Sequence, residues 1–351
     1  MKLAVAPVVY RLKRPIRTAQ GTMDVRRGWR VVLEAGGVAG RGEAMPMRSF
    51  GTETAEACEV ALNAFEVDEL PQSLDEILRA TSPLSATPAA RFAVECALLE
   101  HLARGRGVSV AALLAPAGPC REELLVNALI EGDDAAGLAK AGEAAATAGF
   151  EVVKVKVAAR PLATDAQRLL AVRRAVGPKV KIRIDANCGW TEATARSALR
   201  GLEALDLEVC EQPVQAGDVE GLRRLRRHVP CRIGVDETML VPGVLDRVLQ
   251  RDPDAAADVL VLKPAALGGL LPTLALARRA FEAGVESYVT TLMDGPLSRA
   301  AAAHLGAVLP GQAWAHGLST VELLDGVSDD AFTPSRGRIR FPLSATGWGV
   351  A

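Results

Sequence analysis

The chain has 351 residues, past the roughly 250 to 300 at which a single hydrophobic core stops growing, so two units or a barrel with an appended domain are expected. Its 41 basic and 42 acidic residues leave a formal net charge of −1, which argues against a basic nucleic-acid face or a polyanion partner. Hydrophobic residues at 49% and charged residues at 24% are ordinary for a soluble globular protein, and no apolar stretch approaches the length of a membrane span.

The opening MKLAVAPVVYRLKRP carries Pro7 within its apolar part and lacks a small-residue cleavage site, so it reads as a first β-strand and not as a signal peptide. LAVAPVVYRL and WRVVLEAGG alternate as antiparallel strands do, with GG as a turn signal. SPLSATPAARFAVECALLEHLARG then spaces its apolar residues as a helix and ends at Gly105. Residues 1–120 therefore read as an α+β unit. Six cysteines (Cys58, Cys96, Cys120, Cys188, Cys210 and Cys231) include no C-x-x-C pair and fit no zinc spacing; free thiols and a cytoplasmic location are expected.

From residue 122 the pattern becomes a repeat of short apolar runs and amphipathic helices. ELLVNALI precedes AAGLAKAGEAAATAG, FEVVKVKV precedes TDAQRLLAVRRAVG, and KIRIDAN precedes TEATARSALRGLEAL. LEVCEQP, CRIGVDET, ADVLVLKP and VESYVTT each lead into a further helix, and AWAHGL closes the series. Eight strand-like runs with seven intervening helices predict an α/β fold, a TIM-like (β/α)7β barrel over 121–324. A doubly wound sheet is the alternative, but EGDDAAG is not its G-x-G-x-x-G fingerprint. The tail SRGRIRFPLSATGWGVA returns to strand and turn character, so 325–351 is expected to complete the α+β capping domain.

Barrel active sites are built where strands end and loops begin. Those positions hold Lys154 and Lys156, Asp185 and Asn187, Glu211, Asp236 and Glu237, and Lys263. From Lys156 to Asp185 is 29 residues, and the next three steps, to Glu211, Asp236 and Lys263, are 26, 25 and 27, each about one βα unit. The side chains converge on one mouth. Three unpaired carboxylates would repel, and a hard divalent cation relieves that; an all-oxygen set selects Mg2+. Each acid taken singly reads as a helix cap or an arginine partner, but three in matched phase do not. Lys154 and Lys156 share one strand face while Val153, Val155 and Val157 share the other. Valines outward against helices leave both ammonium groups inside, with Lys263 across the barrel. A substrate carboxylate on the cation has its α-proton acidified, and a lysine on one face can take it.

Together these residues resemble the enolase superfamily, in its muconate-lactonizing-enzyme-like subgroup. K-x-K (Lys154, Lys156), D-x-N (Asp185, Asn187), E-Q-P (Glu211 to Pro213), D-E (Asp236, Glu237) and L-K-P (Leu262 to Pro264) stand in family order. A lysine base with Mg2+ is this superfamily's known pattern. The resemblance implies a (β/α)7β barrel under a cap built from both chain ends, and Mg2+, with Mn2+ as a substitute, on Asp185, Glu211 and Asp236. It also implies Lys156 as acid/base, Lys154 as its support and Lys263 opposite. A small-molecule carboxylate is the implied substrate, with no nucleic-acid or membrane partner, and homo-oligomers are common in such families.

VNALI, RIDAN, HGLST, RTAQGT and GRGEAMP followed by FGTE look most like o-succinylbenzoate synthases, lyases of menaquinone synthesis that dehydrate 2-succinyl-6-hydroxy-2,4-cyclohexadiene-1-carboxylate. N-acylamino acid racemase, dipeptide epimerase or muconate-type cycloisomerase activity would use the same two lysines. The epimerases' D-x-D on the last strand is here His316-Gly-Leu. Arg183 and Asn187, Thr290, Thr291 and Asp294 of TTLMDGPLSR, and the cap residues Gly21, Thr22 and Phe50 are the expected substrate contacts. His316 reads either as a ligand contact or as a turn histidine, and His304 as a helix residue with a core or surface role.

Overall fold

In a computed structural model of the chain, residues 2–350 are described apart from 19–20, 117, 119, 252 and 342–343, with 16–18 and 21–22 described as backbone only. Ala4–Thr18 (β1) and Gly21–Ala35 (β2) pair antiparallel, and Val38–Ala44 (β3) completes a three-stranded sheet. The β2–β3 hairpin turns on Gly36 and Gly37, at φ 57° and 76°. Two positive-φ residues in a two-residue loop match the twist of the strands, and glycine adopts them without steric cost. Helices Ala55–Ala64 (α1), Leu74–Thr81 (α2), Pro88–Gly105 (α3) and Val110–Leu114 (α4) follow.

The α3 helix is buried on nearly every face, which its alanine-rich sequence permits. It lies directly on β3 because Gly40 and Gly42 face it. A Cβ at either would stand about 2 Å from a helix carbonyl oxygen, that of Ala97 or Ala93.

The barrel begins after a detour. Glu123–Leu125 (β4) leaves it to pair with the tail strand, and Ala128–Ile130 (β5) is the first barrel strand. The run expected as one strand is thus divided. Its first half buries Leu124 and offers its backbone to the tail, with Glu123 ion-paired to an arginine there.

Next come Ala135–Thr147 (α5), Val152–Lys156 (β6), Leu162–Val176 (α6), Lys181–Asp185 (β7) and Glu192–Gly201 (α7). Leu207–Glu211 (β8), Val219–His228 (α8), Arg232–Val235 (β9), Leu245–Val248 (α9) and Val259–Leu262 (β10) continue the alternation. Leu270–Glu282 (α10), Glu286–Val289 (β11) and Pro296–Val308 (α11) end it, and Arg338–Arg340 (β12) is the tail strand. Thr54, Ser109, Asp134, Thr191 and Asp218 cap their helices by accepting a first-turn N–H. The α9 helix is shorter than the run VPGVLDRVLQ suggested, because Gly243 at φ 75° turns the chain just before it.

Strands β5 to β11 form one parallel seven-stranded sheet in sequence order. The expected eighth strand is reduced to two bridging residues. His316 pairs with Val126 on one edge and Gly317 with Thr290 on the other, before the chain enters a 3-10 turn at Thr320–Leu323. Three backbone hydrogen bonds and one from a side chain span the gap. His316 donates to Leu125 and accepts from Asn127; Gly317 donates to Val289, and the Thr290 hydroxyl donates to Gly317.

The tail reaches both units. Its β12 binds β4, while Trp348, fully buried, donates its indole N–H to the Arg41 carbonyl at 2.9 Å. No helix among the described residues is long and apolar enough to cross a membrane.

Candidate active site

Strand alternation builds the site first. On β6, Val153 and Val155 are fully buried on the outer face, which leaves Lys154 and Lys156 on the inner one. Cross-strand register then sets heights: Lys156 pairs with Asp185, Asp185 with Glu211, and Glu211 with Gly234. Gly234 gives Glu211 its room, since a Cβ there would stand 3.0 Å from Val209 and 3.4 Å from the Glu211 side chain. Asp236 follows β9, and Lys263 follows β10. The sequence positions spaced by one βα unit therefore meet at one end of the barrel.

Lys154 lies between two acids, its Nζ 2.9 Å from Asp185 Oδ2 and 2.5 Å from Glu211 Oε2. Burial disfavours its charge, but Asp185 and Glu211 outweigh that and raise its pKa. Burial likewise opposes ionisation of Asp185, while Lys154, Lys156 and Lys263 overcome it and hold that carboxyl below its usual range. Lys263 bonds to Asp236 and sits 4.1 Å from the centroid of the Phe50 ring. Burial, with Glu237 and Asp185 adding repulsion that Lys263 only partly offsets, pushes Asp236 up to about 8. Lys156 differs from both other lysines: it is exposed, and its ammonium makes no hydrogen bond or ion pair among the described residues.

Among the described residues no three acidic, His or Cys side chains already close on one point as a ligand set; Lys154 lies between Asp185 and Glu211, and Lys263 lies on Asp236. The donor chemistry nonetheless fits a hard divalent ion. Asp185, Glu211 and Asp236 are all at most 3% exposed, and Glu237 Oε2 beside them is buried with no partner.

Other expected contacts are placed less simply. Asn187 bonds Glu237 at 3.2 Å at the mouth. The Thr290 hydroxyl is used by the Gly317 carbonyl, and Thr291 shares a 2.6 Å hydrogen bond with Thr320. Arg183 faces inward as expected, and its guanidinium is engaged by protein partners. Its guanidinium is fully buried, bound to Glu208 at 2.6 Å and to the Ala315 carbonyl at 2.7 Å, and stacked on Tyr288. Asp294 is likewise engaged, since it pairs across the unit boundary with Arg26 of β2 at 3.6 Å and accepts from its own loop at Leu292. Gly21 and Thr22 begin β2, but their side-chain surroundings lie outside the described residues. His316 turns out to be structural. Its Nδ1 accepts from Val289 N–H, its ring lies against Gly306 of α11, and burial lowers its pKa to about 3. His304 is also core, accepting from Ala111 and facing the Trp348 carbonyl.

Two family models match this frame: the mandelate racemase / muconate lactonizing enzyme N-terminal domain over residues 1–115, and the enolase C-terminal domain-like model over residues 137–351. The chain belongs to the enolase superfamily. It is similar to a chloromuconate cycloisomerase of Pseudomonas sp. (strain P51), at 31% identity over 310 residues, 85% of this chain and 81% of that one. An o-succinylbenzoate synthase of Thermobifida fusca is 37% identical over 222 residues, 62% of this chain and 67% of that one. A dipeptide epimerase from Methylococcus capsulatus, solved with Mg and the dipeptide L-Arg-D-Lys, superposes at a TM-score of 0.87 with 27% identity, covering 100% of this chain and 99% of that one.

This enolase-superfamily site also contains three residues to which sequence reasoning gave no role. Gln212, fully buried, accepts from the backbone N–H groups of Asp236 and Thr238 at 3.1 Å each, so it fixes the β9 end against the β8 end. Its place inside E-Q-P was a signal. Tyr288 donates its hydroxyl to Glu211 Oε1 at 2.6 Å, and its inward phase on β11, two residues before Thr290, was readable. Arg26, the partner of Asp294, gave no signal, because nothing local ties residue 26 to residue 294.

Proposed function

We propose that this chain breaks a C–H bond α to the carboxylate of a small substrate and dehydrates it, as an o-succinylbenzoate synthase does. The observation that carries this reading is Lys156, the free and exposed lysine at a mouth where Lys154 and Lys263 are both bound to acids. Asp185, Glu211 and Asp236 would hold Mg2+, the ion present in the epimerase relative. Such an ion supplies positive charge to the substrate carboxylate and so acidifies the α-proton. Lys156 Nζ takes that proton, and the same ammonium returns it to the departing hydroxyl, so that a C–H and a C–O bond break and water leaves. Lys263, held by Asp236 and Phe50 on the other side, presents its cation to the charge that develops.

The 37% identity to the synthase of Thermobifida fusca supports dehydration. A second reading, cycloisomerisation, is favoured by the larger share of the chain that the chloromuconate relative matches. Epimerisation of a dipeptide has less support, since His316-Gly-Leu stands where an acidic pair would hold an ammonium group, and the His316 ring is buried against α11. The test follows o-succinylbenzoate formation by absorbance with Mg2+, in parallel with solvent-deuterium exchange on N-succinylamino acids and with loss of cis,cis-muconate absorbance. Aromatic product in the first arm is expected. Exchange or muconate turnover without dehydration would overturn it.

A further inference from the structure

Beneath the carboxylates a polar column runs through the barrel interior, beside the buried Val209, Val259 and Val261. Glu208, at the bottom, accepts from Arg183 Nε at 2.6 Å, and Arg183 Nη1 donates to the Ala315 carbonyl at 2.7 Å. The guanidinium so fixed stacks 4.4 Å from the centroid of the Tyr288 ring, and the Trp314 ring lies 6.2 Å from it, centroid to centroid. Tyr288 is 1% exposed and has no room to swing. Its hydroxyl donates upward to Glu211 Oε1 at 2.6 Å.

The column makes the two oxygens of Glu211 inequivalent. Oε1 points down and accepts the Tyr288 O–H. Oε2 shares the Lys154 ammonium with Asp185, at 2.5 Å and 2.9 Å, and so faces the mouth. We propose that Tyr288 sets the cation preference of this centre by holding Oε1 of Glu211 in a hydrogen bond, so that Oε2 is the freer oxygen for a cation. A small divalent ion such as Mg2+ binds few protein oxygens and keeps waters, whereas the larger Ca2+ takes six to eight oxygens and accepts both oxygens of one carboxylate. Removing the phenol oxygen returns Oε1 to Glu211 and makes the site a better Ca2+ site. Arg183 and Glu208 act one step behind, as positioning residues for the ring. This rests on the reading of the acidic cluster as a divalent-cation centre.

The experiment titrates metal-free protein, wild type and Tyr288→Phe, with Mg2+ and with Ca2+ in separate arms, by calorimetry and by the shift in melting temperature. Wild type is expected to prefer Mg2+, and Tyr288→Phe to move the ratio of the two dissociation constants about tenfold towards Ca2+. A general loosening of the core would weaken both ions together and leave the ratio unchanged. That result, in a variant with wild-type near-ultraviolet dichroism, overturns the inference while the cation site stands. Wild-type protein that binds neither ion overturns the reading of the site as well. Should Tyr288→Phe fail to fold, Arg183→Lys loosens the ring from below and keeps the phenol. A smaller shift in the same direction is then expected, and no shift overturns the inference.

Discussion

Lysines 154, 156 and 263 are one residue type in two states. Two are held by acids and one is free, and only the free one can exchange a proton with a substrate without first breaking an ion pair. Lys156→Ala should therefore lower kcat by about 10^2 to 10^4, the range that a positioned general base contributes. The melting temperature and the Mg2+-linked rise in it should stay near wild type, because among the described residues the Lys156 ammonium makes no hydrogen bond or ion pair that the substitution would remove. Stopped turnover with intact cation binding is the expected pair of results. A variant that keeps wild-type turnover would move the base elsewhere. The candidate site was legible at this scale because strand-end residues repeat at the period of the βα unit. The roles of Arg183 and Asp294 were not legible, since inward phase gives direction but says nothing of a partner 132 residues away at Ala315, or 268 away at Arg26.

At the scale of elements, the join between the cap sheet and the loop after β11 is made by buried charge. Arg26 donates to the carbonyls of Met45 at 2.6 Å and Pro46 at 3.1 Å, and faces Asp294. Burial lowers the Arg26 pKa and raises that of Asp294, each charge being retained through the other. Nearby, Tyr10 donates to Glu43 at 2.6 Å, and Ser298 of α11 reaches the same carboxyl at 3.3 Å. Removing one partner of such a pair leaves a buried charge and two carbonyls unsatisfied. Arg26→Met should cost about 3 kcal/mol, read from the urea midpoint. The Arg26→Met, Asp294→Leu double variant should recover part of the loss, and additive losses would show that the two side chains act separately. Substrate KM should rise in Arg26→Met, because the same join carries Phe50 towards Lys263. Hairpins and helices of the cap were legible from alternation, glycine pairs and helical spacing. The division of ELLVNALI between two sheets was not, since only the tail, more than 200 residues later, decides it.

At the scale of the whole molecule, two histidines tie closure of the fold to pH. His304 joins α11 to α4 and the tail, amid Phe332, Phe341 and Trp348. His316 closes the barrel ladder. Burial lowers His304 to about 4 and, with Arg121 and Arg183, lowers His316 to about 3. Their folded values lie below the unfolded value of about 6.5, so the unfolded chain binds more protons between the two. The stability they confer is complete above about pH 6.5 and is lost as pH falls towards the folded values. For His304 alone the loss at pH 5 is about 2 kcal/mol. Glu43 and Glu95, raised by burial to about 7, act in the opposite sense and lose stability as pH rises through that window. The discriminating measurement is hence the difference between wild type and His304→Gln at pH 7 and pH 5. The gap between their urea midpoints should narrow on acidification; a gap that stays constant would remove His304 from the pH response.

The sequence by itself determined the layers, the barrel and the acid and lysine positions. Each of these follows from local periodicity, two for a strand, 3.6 for a helix and one βα unit for the mouth, and periodicity survives without knowledge of contacts. Only the tertiary structure decided which of those charged groups are free. Lys156 is free while Lys154 and Lys263 are held, Arg183 supports Tyr288, Asp294 belongs to Arg26, and two residues do the work of an eighth strand. Each of these depends on which distant side chain fills the space opposite, and that is settled by packing and desolvation in three dimensions rather than by spacing along the chain.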